Sequence, residues 1–527
     1  MNRKIMALIL VTLAIGCAST VWAAPKVISY ANGNAPPVLE PVMNNYNKTY
    51  YLINNIFTGL ARIGKDGYPE LAYAESYKAS DDGLVYTFKL RPGAKYSDGS
   101  PLTARDWEES FLYKISPEIA SPGVVNNLFV KNSEAYNHGE VSADAVGFKA
   151  LDESTLQVTF TNPTPYFMNL LCYYIPYKMD IVKNNPDWFK KPETYIGNGP
   201  FRVKKLDPQV GFVLEKNPNY YDAENVIIDE VDFNFIDDVS VALEAYRKGE
   251  LNVLESLGAE AINSYNGTPE LVSFARTSTF YISVHMGNVP DARVRKALSL
   301  AINRPVLIGD ILGRTYTPAE GIVPFGIHWG ERQFREVVGS LVKTDIDEAK
   351  RLLEEAGYPG GKGLKPLRII TMTSQEEIDT AQAWQGMWKA IGIESEISTY
   401  EPSVYWDVFL TDNWDVARDG WTGGVDDPMV NFMPWRANKQ GPQKGARWYE
   451  MPNAVKFETL MRSTDVDTDR ELRLNLFMQA EKLMMEDMPA IPVWHGVDPV
   501  LIKPRVTGIV KSSNGHVYFN FADIKTD

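Results

Sequence analysis

Residues 81–111, DDGLVYTFKLRPGAKYSDGSPLTARDWEESF, constrain the fold most, because they join a strand, a tight turn and a capped helix in one short unit. Tyr86, Phe88 and Leu90 alternate with Val85, Thr87 and Lys89, the period-two pattern of a strand with one buried face. Asp98-Gly99 then supplies a turn whose glycine tolerates positive φ. Thr103 is placed to cap a helix, with Asp106 three residues on, and Trp107, Phe111 and Ile115 recur at intervals of four along one face. Such a unit serves folding before it serves chemistry.

As a pattern this stretch resembles the extracytoplasmic solute-binding proteins of ABC importers, in the peptide, dipeptide and nickel family known as family 5. Residues 194–203 (TYIGNGPFRV), 215–231 (EKNPNYYDAENVIIDEV), 291–304 (DARVRKALSLAINR) and 480–493 (AEKLMMEDMPAIPV) are similar to the family's other landmarks, in the family's order. Residues 146–160 followed by 163–171 (PTPYFMNLL) are most similar to its oligopeptide-binding branch.

Export is legible without the family. Arg3 and Lys4 precede an apolar run from Ile5 to Ile15, the layout of a signal peptide and too short for a stable membrane anchor. Cleavage after Ala23, at Val21-Trp22-Ala23, yields a soluble periplasmic product and fits better than the alternative. That alternative is a poor lipoprotein box, Ala14-Ile15-Gly16-Cys17, which would tether the chain through Cys17. With cleavage after Ala23 only Cys172 remains, so no intramolecular disulfide forms; its apolar surroundings point to a buried, inert thiol.

The chain of 527 residues carries a formal net charge of −14, and cleavage removes only Arg3 and Lys4 among its charges. No basic run with interleaved aromatics occurs, which argues against a nucleic-acid partner. Hydrophobic residues make up 44% and charged residues 23%, enough apolar content for two or three cores.

Strands alternate with helices throughout, so the fold class is mixed α/β. Ala349, Leu352, Leu353 and Ala356 form a helical stripe ended by Gly357. Residues 367–371 then read as a strand, 381–391 as a helix and 394–398 as a strand. The family resemblance implies a periplasmic-binding-protein-like (type II) two-lobed fold with an extra inserted domain. Lobe I would be discontinuous, 24–57, 183–284 and 503–527, with 58–182 inserted and 285–502 as the opposing lobe. Ligand would lie between the lobes.

No catalytic constellation is present. His138, His285, His328, His495 and His516 are scattered without metal-ligand spacing, residues 357–363 (GYPGGKG) fail the Walker pattern, and no GxSxG elbow occurs. The expectation is a binding protein with no cofactor, no bound metal and no catalytic residues.

The sharpest binding segment is residues 405–435, with Trp406, Trp414, Trp421 and Trp435 flanking a glycine-rich, acidic loop. Aromatic faces give sequence-tolerant contact, and exposed backbone groups can pair with an extended ligand. Trp421, Thr422, Gly423 and Gly424 are the better candidates, whereas Trp414 and Trp435 read as packing residues. In peptide-binding members of the family an aspartate three residues after this tryptophan pairs with the ligand's α-ammonium; here that position is Gly424. Asp426 is the candidate replacement carboxylate, although it also suits capping of the Asp427-Pro428 turn. Gly424 alternatively leaves room for an amine-blocked or cyclic peptide, or for another solute such as a nickel chelate, an opine or a sugar. The resemblance also carries over Trp406 and Arg418 as pocket residues facing a peptide's C-terminal side. Asn45, Tyr46 and Asn47 correspond to the strand along which the peptide backbone runs. Gly123 departs from a tyrosine that the oligopeptide branch offers to its ligand. The expected partners are an oligopeptide or related solute and a membrane permease, with a chemosensory or chaperone-like role as the rival.

Overall fold

The computed structural model describes residues 24–36, 38–44, 47–124, 127–330, 332–436 and 446–525. Residues 1–23, with both processing alternatives, and Asn45 and Tyr46 of the candidate site lie outside the described residues.

An 11-stranded mixed sheet organises the molecule. Ten strands lie along its main path: β1 Val27–Ala31, β2 Phe201–Asp207, β3 Gly211–Lys216, β4 Glu230–Asn234, β5 Val253–Leu254, β6 Leu271–Val284, β7 Leu367–Met372, β8 Ser395–Tyr400, β9 Val416–Thr422 and β10 Ala490–Ile502. They are ordered β8-β7-β9-β6-β10-β5-β1-β4-β3-β2, with the short strand Thr317–Pro318 pairing off β10. β6 and β10 are rich in β-branched and aromatic residues; β10 is largely buried, and so is β6 from Thr277 onward.

These two long strands join two hydrophobic cores. Val272 and Phe274 of β6 pack against a core that runs from Ile28 to Val253 and resumes at Val500. Tyr281, Ile282 and Val284, further along the same strand, belong to a second core that ends at Val493 and Trp494 of β10. Between them the β6–β10 register shifts from Ala275 to Thr279, taking Arg276, Thr277 and Ser278 out of the ladder as a bulge. A bulge at the changeover between cores is a place where a sheet can bend.

Ion pairs cross the same changeover. Arg276 meets Asp498 at 3.0 Å, Asp498 meets Lys511 at 3.2 Å, and Lys511 meets Glu255 at 2.8 Å. Tyr50 and the buried His516 stack beside them with ring centroids 4.9 Å apart.

The first core also includes a four-stranded antiparallel sheet, in the order Ala74–Ala79, Val85–Leu90, Thr155–Thr159 and Phe148–Asp152. The strand, turn and helix expected over 81–111 are all present. Gly99 has φ +86°, and the Asp106 carboxylate accepts from the Thr103 N–H at 2.7 Å and hydroxyl at 2.8 Å. The helix Ala104–Lys114 buries Trp107 and Phe111, with Ile115 buried just beyond it, and Phe111 stacks on Phe148 at 4.1 Å.

The helix expected over 381–391 is instead α1, Gln375–Lys389. Ser374 caps it and draws its start back through the acidic turn Glu376-Glu377, whose polar character hides it from a hydrophobic pattern. Asn47, expected on a strand, is the first residue of the helix Asn47–Ile56. Leu52, Ile53 and Ile56 are buried at helical spacing, and this face carries the helix back to Asn47. Cys172 carries a free thiol whose pKa burial pushes up to about 12, the state of an inert side chain. No helix among the described residues is long and apolar enough to cross a membrane.

Candidate functional site

β9, VARDGWT, lies between β6 and β7, and its hydrogen bonding follows from two flanking contacts. The His285 N–H donates to the Asp415 carbonyl at 2.9 Å, and the Gly423 N–H donates to the Thr277 carbonyl at 3.0 Å. Antiparallel pairs alternate, so Ala417, Asp419 and Trp421 turn their backbone groups toward β6. Val416, Arg418, Gly420 and Thr422 turn theirs to the opposite side. There β7 pairs only through Ile369 with Val416 and Ile370 with Ala417.

Among the described residues, no strand pairs with the outer edge of β9 beyond Ala417. The Arg418 carbonyl accepts from the Tyr405 hydroxyl, and the Gly420 N–H donates to Asp419 Oδ1 at 2.7 Å. The Gly420 carbonyl and both backbone groups of Thr422 face the open side. A strand rises about 3.3 Å per residue, so this edge matches roughly three residues of an extended ligand.

The loop after β9 is held from beneath. The Thr277 hydroxyl donates to the Gly423 carbonyl at 2.6 Å, and Asn431 Nδ2 donates to the Thr277 carbonyl at 3.2 Å. A Cβ at Gly423 would stand 2.2 Å from Val430 Cγ2, so close packing requires glycine there. Gly424 is exposed, and nothing lies within 4 Å of where its Cβ would be. Trp421 is half-buried, with its indole N–H on the Val430 carbonyl at 2.7 Å. Trp414 and Trp435 are core residues at 0% and 4% exposure, whereas Trp406 is 40% exposed.

Asp426, Asp427 and Arg418, near this edge, are each paired within the protein. Asp426 accepts the His328 N–H at 2.7 Å and His328 Nδ1 at 2.6 Å, and its backbone meets the Asn169 side chain. Asp427 is buried against Arg473 at 2.9 Å. Arg418 pairs with Glu377 of α1 at 2.6 Å and lies over the Phe280 ring at 4.6 Å. Burial pushes the Glu377 carboxyl up against the pull of Arg418. Phe280, Tyr316 and Trp494 form a stacked aromatic group behind them. His328, Glu377 and Phe280 escaped sequence reading: their partners are far away in the chain, and no local pattern marks them.

A Cβ at Gly123 would stand 2.2 Å from the Asn44 carbonyl oxygen, so glycine there permits two backbones to touch beside the candidate segment 45–47. Among the described residues no group of histidine, cysteine and acidic side chains is arranged to hold a metal.

His328 and Asp426 adjoin a cavity of about 350 Å³ lined also by Tyr68, Tyr77, Asn169 and Arg470. Burial lowers the His328 pKa, but the Asp426 hydrogen bond and charge, with Asp66, outweigh burial and hold it above its ordinary value. A raised histidine pKa gives stability that is full below the unfolded value of about 6.5 and lost as pH rises through the folded value. His328→Asn should therefore destabilise most in acid. Urea midpoints of both proteins from about pH 5 to about pH 9 should converge as pH rises; a pH-independent gap would show that the pair does not titrate this way.

Two cores joined at a bulged pair of strands, with an open strand edge beside the junction, define a two-lobed solute-binding protein. Residues 69–443 match the family model of bacterial extracellular solute-binding proteins, family 5, and the chain belongs to that family. It is 29% identical over 504 residues to the oligopeptide-binding protein OppA of Bacillus subtilis, covering 93% of this chain and 91% of that one. Among solved structures it is similar to the unliganded open form of the murein tripeptide-binding protein MppA, with a TM-score of 0.84 at 25% identity over 95% of this chain and 98% of the other. Similarity to Haemophilus influenzae OppA in complex with the peptide RPPGFSPFR gives a TM-score of 0.64, also at 25% identity, over 95% of this chain and 99% of that one.

Proposed function

We propose that this protein is the receptor of an ABC importer, capturing extended peptides between its lobes and delivering them to a membrane permease. The observation that carries the reading is the open edge of β9, which offers backbone groups to a ligand strand without reading its side chains. The oligopeptide-binding relatives and the peptide complex support the same cargo class. The signal-like residues 1–23 support export to the periplasm.

The separation of the two cores supports a discontinuous lobe I and an opposing lobe, with the changeovers inside β6 and β10; residues 58–182 share the first core with lobe I. The better fit to an open, unliganded relative than to a peptide complex supports an open arrangement here. Cargo on β9 would act close to the hinge, because Thr277 of the bulge holds Gly423 and also donates its N–H to the Ser513 carbonyl at 2.9 Å. Binding shifts an open–closed equilibrium only by its differential affinity for the two forms, so closure requires contact with both lobes.

Native mass spectrometry of the protein purified from a periplasm, followed by release of what it carries, tests the cargo. A ladder of short peptides is expected; a single non-peptide mass would reverse the reading.

A further inference from the structure

The open edge of β9 offers backbone groups, yet each charge described below is already engaged. Asp419, 1% exposed, accepts from the Ser283 hydroxyl at 2.9 Å and the Gly420 N–H at 2.7 Å. Asp426 has one oxygen on the His328 N–H and the other on the His328 ring. Asp427 takes the Arg473 guanidinium and the Met429 N–H. Toward the start of the strand, Arg418 is neutralised by Glu377, and the nearby Arg314 by Glu376 at 2.5 Å.

Gly424 sharpens the point. It is exposed with open space where a side chain would stand, so a carboxylate fits there sterically and is absent. A ligand ammonium or carboxylate docking here would have to be desolvated against pairs that are already satisfied. Taking one partner from a buried pair leaves an uncompensated charge. An uncharged amide or acyl group carries no such cost and pairs with the same backbone edge.

We infer that the cargo presents neutral ends to this lobe: N-acylated, C-amidated or cyclic peptides in preference to zwitterionic ones. The inference rests on the peptide reading above and names the end chemistry of that cargo. Gly424 and the Arg418–Glu377 pair are its specificity determinants.

The test uses the whole exported protein and a degenerate tetrapeptide pool made in four forms: zwitterionic, N-acetylated, C-amidated and blocked at both ends. The pools compete for the protein, and retained species are read by native mass spectrometry. Retention of the doubly blocked pool at least about tenfold above the zwitterionic pool supports the inference. Equal retention, or a preference for the zwitterion, overturns it and leaves the peptide receptor standing. Retention of no pool overturns the peptide reading and the inference with it. Two variants locate the determinants: Gly424→Asp should raise the free-amine to acetylated ratio, and Glu377→Gln the free-acid to amide ratio, each by about tenfold. If both ratios stay at the wild-type value, the assignment to these positions is overturned.

Discussion

Glu481→Ala is expected to destabilise the fold around the second core by about 3–5 kcal/mol, the usual cost of stripping one partner from a buried ion pair. Glu481 and Arg335 have fully buried side chains 2.5 Å apart. One Glu481 oxygen also accepts the N–H groups of Ile322 at 2.8 Å and Val323 at 3.1 Å. Alanine would leave a buried guanidinium facing only the Val323 and Gly339 carbonyls, with two backbone donors unpaired. Gly321 is part of the same construction, since its Cβ would stand 2.5 Å from Glu481 Oε1 and 2.6 Å from Arg335 Nη2. The buried tryptophans of the second core make fluorescence in urea a direct readout of its unfolding. Removing the pair altogether, in Arg335→Met with Glu481→Leu, should recover much of the loss; a single variant with a shift under about 1 kcal/mol would contradict the argument.

Thr422→Pro is expected to remove peptide binding while leaving the fold intact. The Thr422 N–H points away from β6, so proline deletes no bond of the internal ladder, and proline is tolerated on a strand edge. A ligand strand loses that donor, and the pyrrolidine ring fills the space through which it would approach. One lost hydrogen bond accounts for about 0.5–1.5 kcal/mol, and the ring adds exclusion, so affinity should fall at least about tenfold. Thr422→Ala keeps the N–H and should lose far less.

Much of the scaffold was legible because its signals are local. Strand alternation at Val85–Leu90, the Asp106 cap and Gly99 all lie within about one turn or one pleat of what they determine. Trp414 and Trp435 read as packing residues, and their burial agrees. The site was less legible because its chemistry is tertiary. Asp426 and His328 are 98 residues apart, and Asp427 and Arg473 are 46 apart, so no spacing announces either pair. Glu377 reads as an ordinary acid in a helical first turn until α1 brings it to Arg418. The open edge itself depends on where β7 stops pairing, which is set by packing and leaves no mark within β9.

Cargo that pairs with the outer edge of β9 depends on the Thr422 N–H and on the space beside it. Isothermal calorimetry decides this, with peptides eluted from the wild-type protein titrated back into wild type, Thr422→Ala and Thr422→Pro after circular dichroism has shown all three folded. Binding to wild type and Thr422→Ala is expected, with loss of at least about tenfold in Thr422→Pro. Equal affinity of Thr422→Pro and wild type would show that cargo is held elsewhere and that the open edge is not the site.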